Sequence, residues 1–123
     1  MSGATVVVQF WNSQALPASG TVNGQTFSLA NKYGYGFQVE YSSGLTGTFQ
    51  VQISNDKGVV NPDGTISYVT NWTSVTGESA AVSGSAGNAF FDTPSTSAAF
   101  VRLIYIATSG TGTASANATL KAA

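Results

Sequence analysis

Strict alternation of apolar and polar side chains occurs twice within twenty residues. Phe37, Val39 and Tyr41 interleave with Gln38, Glu40 and Ser42, and Phe49, Val51 and Ile53 interleave with Gln50, Gln52 and Ser54. A period of two puts each apolar set on one face of a pleated strand, whereas a helix would scatter it around the axis. Both stretches therefore read as half-buried strands. Between them Ser43-Gly44-Leu45-Thr46-Gly47 supplies a short glycine-containing connection. The pair reads as an antiparallel hairpin whose apolar residues face one core.

The rest of the chain follows the same grammar. Residues 5–11 are rich in β-branched and aromatic side chains and suit a first strand; residues 25–30 suit a short second one after the Asn23-Gly24 turn signal. Residues 65–75 carry Ile66, Tyr68, Val69, Trp72 and Val75 among threonines, which favours one or two strands over a helix. Residues 98–107 are the most apolar stretch and read as a central strand covered on both faces. In residues 113–122, Ala114, Ala116, Ala118 and Leu120 alternate with Ser115, Asn117, Thr119 and Lys121. Period two argues for a final strand with small residues inward, and alanine's helix propensity leaves a short helix as the alternative. Linkers fall at residues 55–64, 83–88 and 92–97, none long enough to divide the chain. About eight short strands with regular turn signals predict an all-β, antiparallel β-sandwich or jelly roll, as one domain over residues 1–123.

Charge narrows the function. Of 123 residues only 7% are charged, Lys32, Lys57, Arg102 and Lys121 against Glu40, Asp56, Asp63, Glu78 and Asp92, whereas an ordinary soluble domain carries about 25%. The exterior must be built from Ser, Thr, Asn, Gln and Gly, and a net charge of −1 gives little self-repulsion, which favours association. Four scattered cations cannot form the phosphate-tracking stripe of a nucleic-acid binder. No apolar run is long enough for a membrane helix, and the start of the chain lacks the basic and apolar regions of a signal peptide, so cytoplasmic synthesis is expected. At 42% apolar residues the chain is not a disordered one.

Histidine and cysteine are both absent, which removes the commonest general base, the thiol nucleophile and the usual transition-metal ligands. No metal or cofactor is expected. Glycosidase chemistry would need two of the five carboxylates about 5–10 Å apart in a cleft, and most of these acids sit in turn-like segments. Ser54-Asn55-Asp56-Lys57 has the Ser-x-x-Lys spacing of penicillin-recognising enzymes, but it follows a strand rather than opening a helix. The loop 55–64, with Asn55, Asp56, Asn61, Asp63 and Gly64, offers oxygen ligands for Ca²⁺, yet Asn-Pro-Asp-Gly is itself a strong turn sequence and no Glu closes the loop. Tyr33, Tyr35 and Trp72 have two open roles, stacking platforms for a sugar or fillers of the core. Arg102, the single arginine, lies in an apolar strand and needs a partner. A structural ion pair with Asp56 or Asp92 is the expectation.

Three motifs in order, the strand Thr48-Phe49-Gln50-Val51-Gln52-Ile53 ending in Ser54-Asn55-Asp56, then Asn71-Trp72-Thr73-Ser74-Val75, then Phe100-Val101-Arg102-Leu103-Ile104-Tyr105, resemble those of discoidin-like β-sandwich domains. With the Thr-Ser-Gly-Thr-Gly turn and the terminal Lys-Ala, residues 46–123 are also similar to small structural proteins of tailed bacteriophages. The chain is shorter than a discoidin domain, and that family's sugar-binding residues have no counterparts in it. The resemblance implies a virion component, a capsid decoration or tail-associated protein with a galactose-binding-like or jelly-roll fold, that oligomerises or docks on other virion proteins. The rival expectation is a carbohydrate- or receptor-binding module using Tyr33, Tyr35 or Trp72 on surface glycans.

Overall fold

Alternation is realised as two facing sheets. The computed structural model describes residues 5–30, 32–55, 59–60, 62–63, 66–67 and 71–122. Its strands are β1 (Val6–Leu16), β2 (Gly20–Asn23), β3 (Phe27–Ser28), β4 (Lys32–Tyr41), β5 (Thr46–Ser54), β6 (Val59–Val60), β7 (Ile66–Ser67), β8 (Thr73–Ser83), β9 (Gly87–Thr93), β10 (Phe100–Ser109) and β11 (Gly112–Ala122). The first sheet has the order β1-β11-β4-β9, and the second β2-β10-β5-β8 with β3 also on β10. The strands β6 and β7 form a small pair of their own. No helix occurs among the described residues, and all strand pairs there are antiparallel.

The pairing shows how the chain is wound. Its first half pairs with its second half in reverse order, β1 with β11, β2 with β10, β4 with β9 and β5 with β8. This long double ribbon is then rolled so that β11 meets β4 and β10 meets β5. Such a rolled ribbon is a jelly roll, one form of the expected antiparallel β-sandwich.

The expected hairpin between residues 37–42 and 49–54 is corrected. Both segments are strands, but β4 belongs to the first sheet and β5 to the second, so they face each other across the core rather than pair. Leu45, which would be exposed in a hairpin turn, is 0% exposed and plugs the end of the sandwich. Gly44 holds the bend at φ 99°, and the bend is tied to the neighbouring crossover by Gly44 N–H donating to Gly84 O at 2.9 Å and Gly84 N–H to Leu45 O at 2.7 Å. Period two fixes which face is buried, and it is blind to whether the next strand lies alongside or opposite.

Phe37 and Val39 from the first sheet meet a core completed by Phe49, Val51, Val101, Leu103 and Tyr105 from the second, all fully buried. Residues 113–122 are indeed a strand. Its inward Ala114, Ala116 and Ala118 occupy the centre of the sheet, with Ala116 registered between Val39 and Trp11. These small side chains leave the space between the sheets to rings. A register shift between Gln9 and Trp11 inserts Phe10 as an extra residue. The Phe10 ring then lies 5.3–5.8 Å from those of Trp11, Phe27 and Phe37. Two strands, β8 and β9, extend through residues with no clear apolar period. Alanine, serine and glycine give their exposed edges little signal.

Candidate functional site

On β10 the residues between the core positions point to the outer face of the second sheet. Arg102 is one of them, registered opposite Gln52 on β5, and its Nε–H and Nη2–H both donate to Gln52 Oε1 at 3.0 and 2.8 Å. Its guanidinium carbon stands 4.2 Å above the ring of Trp72, which lies just ahead of β8 and is half-buried. Burial lowers the basicity of Arg102. The arginine is thus held by an amide oxygen and an aromatic face, a pairing suited to its planar, weakly hydrated cation.

The Asp92 alternative of the expected ion pair is corrected. Asp92 lies on the outer face of the opposite sheet, where Lys121 Nζ donates to its Oδ1 at 2.6 Å. The lysine reaches Asp92 across the intervening β4, whose Gly34 and Gly36 stand in register with Lys121 and Asp92 and carry no side chain in the way. Asp56, the other expected partner, lies outside the described residues, as does most of the loop 55–64.

The three aromatics are separated by the fold. Tyr35 points inward, is 1% exposed, and offers no face to a ligand. Tyr33 is 60% exposed near the start of β4, and Trp72 is covered on one side by Arg102. Near them, at the same end of the sandwich, Ser54, Asn55, Asn71, Thr73, Thr96 and Ser97 line an open cleft of about 570 Å³ together with Ile53 and Ala98. Part of its polar lining is already engaged: Asn55 Oδ1 accepts from Ala99 N–H at 2.8 Å and Thr96 Oγ1 from Ala98 N–H at 3.1 Å.

A feature absent from the sequence expectations is the environment of Glu78. In β8 the register jumps from Ser79 opposite Gln50 to Ser74 opposite Gln52, so residues 75–78 form a wide bulge, with Gly77 at φ 86°. Gln50 bridges the interrupted ladder, its Nε2 donating to Val75 O at 3.1 Å and Glu78 O at 3.2 Å. The bulge turns the Glu78 carboxylate toward the first sheet. There Tyr35 Oη donates to Oε1 at 2.9 Å and Thr93 Oγ1 donates to Oε2. Burial, and then the neighbouring Glu78, push the Tyr35 phenol well above its ordinary range. Glu78 therefore clasps the edges β8 and β9 together. The only advance sign is a Gly-Glu step in an otherwise uncharged segment.

The carboxylates of Glu40, Glu78 and Asp92 do not converge. Glu78 lies between the sheet edges, whereas Glu40 and Asp92 occupy the outer face of the first sheet four positions apart along paired strands, about 13 Å by strand rise. Among the described residues no group of three or more Asp and Glu side chains is placed to hold a metal ion.

The sequence matches no protein-family model and no curated protein. Two solved structures share the fold. The SPBc2 prophage-derived protein YomS superposes with a TM-score of 0.53 at 11% identity, covering 100% of this chain and 96% of that one. A chain in the structure of infectious bursal disease virus Gx strain gives a TM-score of 0.52 at 10% identity over 98% of this chain; the match spans 33% of the viral chain. At such identities the likeness is one of fold.

Proposed function

We propose that this chain is a non-enzymatic structural protein of a phage particle, a capsid decoration or tail-associated component, acting as one domain through contacts with other virion proteins and with itself. The observation that carries the reading is the rolled topology, which a prophage-derived protein shares over nearly its whole length and a chain from a virus structure shares over one third of its own. Fold does not specify function, so the exterior has to supply the second support. Here only 7% of residues are charged, and Val7, Tyr33, Phe90 and Ile106 are exposed by 65, 60, 62 and 43%. A neutral, hydroxyl- and amide-rich exterior studded with single apolar groups has little electrostatic barrier to stable contacts with other neutral proteins. The test is mass spectrometry of purified particles produced by the genome that encodes the chain. Near-stoichiometric recovery with intact particles is expected, and its consistent absence from them overturns the reading.

A second reading is favoured by the cleft at the Tyr33–Trp72 end, whose amide and hydroxyl lining suits a neutral sugar. It predicts saturable quenching of tryptophan fluorescence by a hit from a glycan array, lost in Trp72→Ala. A silent array removes it.

A further inference from the structure

A jelly roll of this kind has four edges, and in this molecule they are not treated alike. The edge at β2 is only four residues long. The edges β8 and β9 lie together on one flank. There β8 is broken by the bulge around Gly77, and β9 carries the ion-paired Asp92 and is clasped to β8 through Glu78. Short length, bulges and charges are the devices by which edge strands are kept from pairing with other chains. The fourth edge, β1, has eleven residues with no charge and no proline. Its one neighbour among the described strands is β11. Its two register shifts lie beyond Gln9, so Val6, Val7, Val8 and Gln9 run in an unbroken ladder opposite Leu120, Thr119, Ala118 and Asn117.

We infer that the stretch Val6-Val7-Val8-Gln9 pairs antiparallel with the same stretch of a second copy of this chain, joining two first sheets into one continuous eight-stranded sheet across a two-fold axis. The inference rests on the assembly reading above and names the surface that performs it. Alternate residues of an antiparallel edge turn both N–H and C=O outward, and a second copy offers the matching pattern. A two-fold axis through the sheet keeps inner faces with inner faces, so residues opposite each other must share a face. Centring the pair on Val7 meets this condition. Val7, on the outer face and 65% exposed, then opposes Val7 of the second copy, while Val6, on the inner face and 40% exposed, is covered by Val8 of the second copy. No like charges meet, because the strand has none. An uncharged edge offers a charged partner strand no ion pair, whereas the identical valine stretch covers the exposed Val6 and Val7.

The test uses the full chain, which contains no cysteine of its own. Sedimentation of the wild type over a concentration series should show a monomer–dimer equilibrium, or assemblies built from even numbers of chains. Val7→Lys, which puts like charges face to face at the axis, should weaken the dimer about tenfold or more while circular dichroism and the Tm of the dilute monomer stay the same. On mild oxidation Val7→Cys should give a covalent dimer, whereas Phe90→Cys, equally exposed on the far edge strand, should not. Assembly that survives Val7→Lys unchanged, or equal cross-linking of the two cysteine variants, overturns this pairing and leaves the structural role standing. A chain that is monomeric at every concentration overturns the pairing too, while recovery of the protein in particles separately decides the role.

Discussion

Single residues show where burial and polarity are balanced and where they are not. Tyr35 and Tyr105 are both buried phenols, yet only Tyr35 is answered, by Glu78. The Tyr105 hydroxyl has no hydrogen-bond partner among the described residues, and it sits where a side chain at Gly47 would collide with it, at 2.6 Å. An unpaired buried hydroxyl is destabilising, so Tyr105→Phe should leave stability unchanged or raise it by about 1 kcal/mol, read as a higher Tm. Tyr35 makes the opposite prediction through pH. Its folded form holds the proton to higher pH than the unfolded chain, which ionises near 10.0. The stabilisation is complete below that value and drains away as pH rises beyond it, at no more than about 1.4 kcal/mol per pH unit for one group. Burial raises Tyr105 as well, so denaturant titrations of Tyr35→Phe should retain an alkaline decline of shallower slope than the wild type. An identical slope in the two proteins would remove Tyr35 from the account. Arg102 is the residue whose type was informative and whose partner was not. Its need for company in an apolar strand is written in the sequence, but Gln52 and Trp72 are as good a company as a carboxylate, and only register selects them.

At the scale of elements, the strands most legible in advance are those with one clean buried face. Residues 37–41 and 49–53 alternate because one side meets the core and the other meets solvent, and both became strands. Residues 98–107 were expected to be covered on both faces; Ile104, on the outer side, is 4% exposed, while Ile106 beyond it is open. What escaped was β8 and β9, where small residues on sheet edges bury too little to leave a pattern. The link between β4 and β5 was legible in one residue, since a leucine in the middle of a surface turn is out of place. Its role as a plug predicts that Leu45→Ala destabilises by about 2–5 kcal/mol, the cost of a large-to-small change in a closed core, as measured by chemical denaturation. A loss below 1 kcal/mol would place Leu45 in a surface hairpin after all.

For the whole molecule the decisive property is that the two outer faces carry few charges, among them Glu40, Asp92 and Lys121 on one and Arg102 on the other. Association through such faces draws on apolar area and backbone hydrogen bonds rather than on ion pairs. Its strength should therefore change little as ionic strength rises from about 0.05 to 0.5 M, across which exposed charge pairs are screened out. Light scattering with mass determination at both salt concentrations checks this, and dissociation at high salt would transfer the role to the few charged residues. The pair Lys121 and Asp92, 35 and 41% exposed, is screened by solvent, so it is expected to add little to stability.

Local pattern alone determined that this chain is all-β, that its core is made of rings and branched aliphatics at alternate positions, and that the exterior is neutral. These follow from side-chain period and composition, which act within a few residues. The tertiary structure alone decided that neighbouring strands lie in opposite sheets, that Glu78 clasps the edges β8 and β9, and that β1 is the unguarded edge. Each of these depends on which distant strand lies alongside, and hydrogen bonding between strands is indifferent to the residues that make it.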